Sequence, residues 1–136
     1  MKKIFITACF GLILSACSDS RKQEKDILNE ILKVHDKLMG QDEQLMKNKM
    51  QLDSLIKLPA KDTAAKTNMK ALDLELKAAE ESMENWMHNF EPDVTGRPHD
   101  EVLKYYNKQK KGIMSVDSQM NAAITESNKY LSNLSK

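Results

Sequence analysis

Methionine and histidine side chains are the residues of this sequence best suited to chemistry. The segment 82–90, SMENWMHNF, holds two methionines, the only tryptophan, a histidine and a phenylalanine. If two helices fold back on each other at 59–61, four soft donors come level with one another: His35, Met39, Met83 and Met87. Thioether and imidazole ligands suit Cu(I). The alternative prediction is core packing, because methionine commonly fills irregular gaps in a core.

Aromatic residues near the same helix end form a second candidate site. Trp86, Tyr105 and Tyr106 are either core residues or an exposed aromatic patch that binds a partner protein. Trp and Tyr suit binding surfaces because they combine contact area with a polar tip. The basic run 108–111 is most simply a solvated helix face. Since no aromatic stacking platform accompanies that run, we do not expect nucleic acid as a partner.

Catalytic motifs are missing from the sequence. It contains no G-x-S-x-G, no H-E-x-x-H and no glycine-rich phosphate loop. Two imidazole–carboxylate pairs, His35-Asp36 and His99-Asp100, are adjacent in sequence, and adjacent residues of a helix do not face each other. We therefore expect neither an enzyme nor a bound cofactor.

The N-terminal segment 1–16 predicts a secretory signal peptide. Lys2 and Lys3 precede an uncharged run, 4–14, that is about half as long as the ~20 residues of a membrane-spanning helix. The sequence Leu-Ser-Ala-Cys that ends at Cys17 looks like the lipobox of bacterial lipoproteins. That likeness implies cleavage before Cys17 and acylation of this residue, which would leave the mature chain anchored to a membrane.

The residues after Cys17 bear on the location of the mature protein. Ser18, and not Asp, follows the cysteine, which in the sorting rule of such lipoproteins favours the outer membrane. We expect the protein to face the periplasm, with the cell surface as the alternative. The mature chain loses only two of 21 basic residues and keeps all 20 acidic ones, so it is close to neutral. A neutral domain is not drawn to anionic partners by its overall charge.

Prolines divide the mature chain into three predicted helices, at 21–58, 63–90 and 98–134. Pro59 and Pro92 disfavour helix at the residue before each, and Pro98 suits the first turn of a helix. Residues 17–24 are predicted to be a lipidated cysteine with a polar tether, and 25–136 to be one domain. Asp62 or Thr63 is expected to cap the second helix. Gly40 and Gly112 fall inside predicted helices, where each either faces solvent or marks a kink.

Heptad patterns predict how these helices pack. Apolar residues in the second helix alternate steps of four and three, and the third helix repeats the rhythm with a more polar seam. The seam of the second helix comprises Ala65, Met69, Leu72, Leu76, Ala79, Met83, Trp86 and Phe90, and that of the third Val102, Tyr106, Gln109, Ile113, Val116, Met120, Ala123, Ser127, Tyr130 and Leu134. The first helix carries two neighbouring apolar stripes, which together predict contacts with two partners. The first stripe comprises Ile27, Ile31, Val34, Leu38, Leu45, Leu52 and Ile56, and the second Leu28, Leu32, His35, Met39, Met46 and Met50. Short connections favour antiparallel neighbours, so we predict an all-α fold: an elongated, coiled-coil-like antiparallel three-helix bundle.

Three segments resemble a family of small Bacteroidota lipoproteins that are often mislabelled as viral A-type inclusion proteins. They are VHDKLM at 34–39, LMKNKMQLDSL at 45–55 and MENWMHNFEP at 83–92. The likeness covers most of the mature chain. It implies a lipoprotein and an all-helical fold, and it carries no known activity.

The sequence thus predicts a lipid-anchored envelope protein that acts as an interaction or spacer module without catalysis. In the leading hypothesis, the connection between the second and third helices, around Trp86, Pro92 and Pro98, binds an envelope protein. The alternative hypothesis is periplasmic copper binding by the methionine and histidine set. The sequence leaves the oligomeric state open.

Overall fold

The computed structural model describes residues 16–59 and 62–134, with side chains described from Arg21 onward. Three helices account for most of this part of the chain: α1 (Ala16–Lys57), α2 (Thr63–Asn89) and α3 (His99–Leu134). They pack against one another as an all-α three-helix bundle, which confirms the predicted fold class. The predicted signal peptide, except for Ala16, lies outside the described residues.

Most helix ends lie within one residue of their predicted positions. Asp62 is the N-cap of α2: its backbone is extended and its side chain accepts a 2.8 Å hydrogen bond from the Ala64 N–H. Such a cap satisfies one of the N–H groups that a helix start leaves unpaired. At the other end of α2, the Phe90 N–H donates to the Met87 carbonyl and the chain turns extended. Local capping therefore explains these boundaries.

The start of α1 differs from prediction. The helix begins at Ala16, so the segment 17–24, predicted to be a tether, forms its first turns. This segment contains neither Gly nor Pro, and its Lys, Arg, Gln and Glu residues favour helix. Cys17 consequently lies in the same helix as the buried Ile31. Within the described residues, no helix combines the length and the hydropathy needed to cross a membrane.

Hydrogen bonds between helices define the topology. Several contacts between α1 and α3 have the same separation of 80 residues, as in Lys37–Asp117 and Gln41–Asn121, so these two helices run parallel. Contacts between α2 and α3 join early residues of one to late residues of the other. Examples are Trp86 with Gln109 and Tyr130 with Ala65. The bundle is therefore up-down-up, as predicted.

The core follows the predicted seams closely. Residues of α2 and α3 that recur at heptad spacing are buried, and α1 contributes Ile31, Leu38, Leu45 and Leu52 at intervals of seven. Side chains buried from the other two helices are Met69, Leu76, Ala79, Met83, Trp86, Val102, Tyr106, Ile113, Val116, Met120, Ala123 and Ile124. Leu134, predicted to end the seam of α3, is instead exposed.

The second apolar stripe of α1 does not pack as predicted. Leu32, Met39, Met46 and Met50 are between 38% and 67% exposed. The helix does contact both neighbours, but it meets α3 with amide and charged side chains. Leu28 and His35 of the same stripe are half-buried, so the stripe packs only in part. The result is an exposed row of Leu and Met along this helix.

Candidate functional site

The four predicted copper ligands lie on α1 and α2, where the two helices meet. The ring centroids of His35 and Trp86 are 6.2 Å apart, which sets the His35 turn of α1 beside the Trp86 turn of α2. Met39 follows His35 by four residues and projects from the same face of α1. Met83 is buried, whereas Met39 and Met87 are 48% and 37% exposed. One thioether residue thus belongs to the core and two border solvent.

The His35 imidazole is half-buried and has one defined partner. Its Nδ1 lies 3.2 Å from the Asp36 carboxylate oxygen Oδ1. In the neutral tautomer whose Nδ1–H donates to this carboxylate, Nε2 carries the free lone pair. Among the described residues, Nε2 of His35 has no hydrogen-bond partner. This nitrogen is therefore available to a ligand.

Among the described residues, the side chains that bind harder metal ions do not form a cluster. Within residues 16–59 and 62–134, no group of three or more His, Cys, Asp or Glu side chains is placed to hold a metal ion. Any metal preference of the α1–α2 face would therefore depend on thioethers and a single imidazole.

Trp86 is an anchor between α2 and α3. Its indole Nε1–H donates to the Gln109 carbonyl at 3.2 Å, and its ring stacks on Phe90 at 4.8 Å between centroids. A Cβ at Gly112 would lie 3.2 Å from Trp86 Cδ1, so this glycine makes room for the indole. Gly112 therefore does not face solvent. A Cβ at Gly40, by contrast, would meet no atom within 4 Å.

The exposed aromatic patch predicted as one alternative is wrong for two of its three residues. Trp86 is 8% exposed and Tyr106 only 2% exposed, whereas Tyr105 is half-buried. The heptad positions of Trp86 and Tyr106 direct both side chains into the bundle. Their polar atoms are satisfied by backbone carbonyls, as buried Trp and Tyr require.

Two tyrosines fasten the connection between α2 and α3. The Tyr105 hydroxyl accepts a 2.7 Å hydrogen bond from the Glu91 N–H, and the Tyr106 hydroxyl donates to the Pro92 carbonyl at 3.0 Å. Burial raises the pKa of the Tyr106 hydroxyl, and the negative charge of Glu24 raises it further. We call Trp86, Phe90, Tyr105 and Tyr106 the aromatic corner.

The connecting loop itself has a defined turn. Asp93 accepts hydrogen bonds from the Thr95 hydroxyl at 2.6 Å and from the Thr95 N–H at 2.9 Å. These bonds hold the pKa of the Asp93 carboxyl below its usual value. Gly96 follows with φ of +82°, a conformation that a side chain would strain. Arg97 then lies over the Tyr105 ring, 5.3 Å from its centroid.

One contact fixes which end of α1 lies beside this loop. Nδ1 of His99, the first residue of α3, is 2.6 Å from Oε1 of Glu24. Glu24 follows Cys17 by seven residues in a continuous helix. The aromatic corner and the predicted lipidation site are therefore at the same end of the bundle.

Amide side chains join α1 to α3 in a part of the core where the predicted stripes of α1 contain no amide residue, although Ser127 lies on the predicted seam of α3. Asn48 is 1% exposed, and its Nδ2 donates to the Ser127 hydroxyl at 2.8 Å and to Asn128 Oδ1 at 2.9 Å. Gln44 bonds both Asn48 and Asn128. The amide layer, as we call it, consists of Gln41, Gln44, Asn48, Asn121, Ser127 and Asn128.

A signal for the amide layer was present in the sequence. Ile31, Leu38, Leu45 and Leu52 recur every seven residues, and Gln41 and Asn48 occupy the alternate seam positions between them. A polar residue at a heptad seam position is a known device for fixing register.

An open groove lies between α1 and α3 beside the amide layer, whose Gln44, Asn48 and Asn128 line part of it. Its volume is about 840 Å³, and it extends toward the end of the bundle opposite the aromatic corner. Amide and hydroxyl side chains alternate with apolar ones along its walls. The lining residues include Gln44, Met50, Gln51, Ser54, Ser132 and Leu134. Met50 and Leu134 are 67% and 54% exposed.

Comparisons of this chain with protein-family models, with curated proteins and with solved structures gave no match.

Proposed function

We propose that this chain is a lipoprotein, anchored to the outer membrane through Cys17, whose helical bundle is a non-catalytic spacer and interaction module. The continuity of α1 is the observation that carries the proposal, because the helix runs unbroken from Ala16 to Lys57. A lipid on Cys17 would therefore hold the bundle through a stiff helix and not through a flexible linker. The resemblance to small Bacteroidota lipoproteins supports the same anchor.

In this proposal the bundle has a near end and a far end. Glu24 lies about 10 Å along the helix from Cys17, since an α-helix rises about 1.5 Å per residue. The α2–α3 loop, which contacts Glu24 through His99, would then lie close to the lipid headgroups. Lys57 lies about 60 Å along α1 from the anchor by the same rise. The module would hold its far end at that distance.

The far end is the surface we propose for partner binding, in place of the α2–α3 loop proposed from sequence. Trp86 is buried and the loop lies beside the anchor, which leaves little room for a soluble partner there. The α1–α3 groove at the far end offers hydrogen-bonding side chains next to the exposed Met50 and Leu134. Such a mixture of apolar and polar groups is typical of protein interfaces.

Two measurements in cells test the proposal. Cys17→Ala should abolish labelling by radioactive palmitate and release the protein from the membrane fraction. A photo-crosslinking amino acid at Gln51 or Ser132, both in the groove, should capture the same envelope protein at both positions. Met50→Glu should weaken that capture. The same crosslinker at Thr95, in the loop near the anchor, is the matched control.

Each of the two measurements has an outcome that would contradict the proposal. Unchanged palmitate labelling in Cys17→Ala would contradict the attachment of a lipid at Cys17. Capture at Thr95 alone would indicate that the partner binds the α2–α3 loop and not the groove. Absence of any crosslink from Gln51 and Ser132 would leave no interaction at the far end.

A further inference from the structure

We propose that the α1–α2 face is a Cu(I) site built from Nε2 of His35 and the thioether sulfurs of Met39, Met83 and Met87. The inference is independent of the spacer role, since it concerns another face of the bundle. It assigns a ligand to Met39, a methionine of α1 that is 48% exposed. Thioether and imidazole donors select Cu(I) over harder ions.

Helix geometry gives the site two donors from each helix. His35 and Met39 are four residues apart on α1, and Met83 and Met87 are four residues apart on α2. Residues with that spacing lie on one face of a helix. The 6.2 Å approach of the His35 and Trp86 rings brings the two turns together. The two turns together offer one imidazole nitrogen and three thioether sulfurs, the donor types that suit Cu(I).

The surroundings of His35 match those of a metal-bound histidine. Such histidines usually donate their other ring N–H to a carboxylate, which orients the ring and raises its basicity. The Nδ1 of His35 lies 3.2 Å from Asp36 Oδ1, and Asp36 is otherwise solvent-exposed. The arrangement leaves Nε2 as the metal-binding atom.

The three methionines of the site differ in their exposure to solvent, and this difference permits entry of the ion. Met39 and Met87 are 48% and 37% exposed, so their thioethers can receive an ion from solvent. Met83 is 5% exposed and supplies a donor from the core side. Methionine has three rotatable bonds, so small rotations can direct its sulfur without moving the helices.

Trp86 supplies a built-in reporter of this site. It is the only tryptophan of the chain, and its ring lies 6.2 Å from that of His35. A cation near an aromatic face interacts with the ring quadrupole. Cu(I) bound at His35 should therefore quench or shift the Trp86 fluorescence.

The test is an anaerobic Cu(I) titration of the full chain, purified from membranes in detergent. Trp86 fluorescence and competition with a colorimetric Cu(I) chelator are followed together. We expect one Cu(I) per chain, a fluorescence change that saturates at that ratio, and no such change with Zn²⁺. The double variant Met39→Leu/Met87→Leu should bind at least about tenfold more weakly, since loss of even an outer-shell partner costs about 10–100-fold.

A second double variant controls for general loss of methionine. Met46→Leu/Met114→Leu changes two exposed methionines outside the site, one on α1 and one on α3, and should leave the Cu(I) affinity unchanged. Met-to-Leu changes conserve volume, and circular dichroism will verify that both variants keep their helices. Equal affinity of the two double variants, absence of Cu(I) binding by the unaltered chain, or an equal response to Zn²⁺ would each overturn the proposal.

Discussion

The aromatic corner and the amide layer hold the same three helices together by different chemistry. At the corner, Trp86 and Tyr106 bury large rings and direct their polar atoms to backbone carbonyls. In the amide layer, Asn48 is just as deeply buried but is held by side chains of Ser127 and Asn128. The corner joins α2 to α3, and the layer joins α1 to α3.

The two regions contribute in different ways: the aromatic corner to the free energy of unfolding, and the amide layer to the alignment of the helices along each other. Burial of aromatic area is a large favourable contribution to folding, and at the corner it is accompanied by only a few hydrogen bonds, from Trp86 and Tyr106 to backbone carbonyls. Hydrogen bonds between amides are directional, and a helix shift would leave buried polar groups unpaired. The contacts between α1 and α3 recur at a separation of 80 residues in Lys37–Asp117, Gln41–Asn121 and Asn48–Asn128. We infer that the corner supplies stability and the amide layer fixes alignment.

Trp86→Ala is expected to have the largest effect on stability. The variant removes a ring that is 8% exposed, together with its stacking on Phe90 and its bond to Gln109. Truncation of a buried Trp costs about 3–5 kcal/mol in the free energy of unfolding. Urea denaturation followed by circular dichroism measures the change.

Met114→Ala is the control for this truncation. Met114 is 52% exposed on the same helix pair, so its loss should change the free energy of unfolding by no more than about 0.5 kcal/mol. If Trp86→Ala lowers the free energy of unfolding by less than about 1 kcal/mol, the aromatic corner is not the main source of stability.

Asn48→Ala is expected to have an intermediate effect. The variant leaves the buried Ser127 hydroxyl and the amides of Gln44 and Asn128 short of a partner. Loss of one partner from a buried polar group costs about 1–3 kcal/mol. The same denaturation experiment measures it. Asn107→Ala, which removes an exposed amide from α3, should cost far less.

The two kinds of contact differed in how well the sequence predicted them. The seam of α2 was read correctly because Met69, Leu76, Met83 and Trp86 are all apolar at heptad spacing. Asn48 was missed because the stripes of α1 were drawn almost entirely through apolar residues, whereas the predicted seam of α3 included the polar Ser127. The exposure of Met39 and Met50 was missed because the second stripe counted every apolar residue of that face as buried, whereas these two side chains are 48% and 67% exposed.

The tyrosine contacts of the loop could not be predicted from periodicity at all. Tyr106 was placed on the seam of α3, but its bond to the Pro92 carbonyl depends on the path of the loop. That path is set by the Asp93–Thr95 turn and by the positive φ of Gly96. The approach of His35 to Trp86 was expected from the antiparallel fold, whereas the packing of Trp86 on Gly112 was not.

Substitution of two helical glycines by alanine is expected to have the smallest effects on stability, and the two variants can be compared directly. Gly40→Ala adds a methyl group into open space within α1, so helix propensity should raise the free energy of unfolding by about 0.5–1 kcal/mol. Gly112→Ala offers the same gain in propensity but places its Cβ 3.2 Å from Trp86 Cδ1 and 3.4 Å from Nε1. The indole cannot yield easily, because Gln109 and Phe90 hold it on two sides.

We therefore expect Gly112→Ala to lower the free energy of unfolding while Gly40→Ala raises it. The gap between the variants measures how tightly the aromatic corner is packed, because the gain in helix propensity is common to both. Combining Gly112→Ala with Trp86→Ala should remove the penalty, since the atoms that the new methyl group meets are then gone. Equal stabilisation by both glycine variants in the presence of Trp86 would show that the indole moves freely, and that the corner is held by buried area without a fixed geometry.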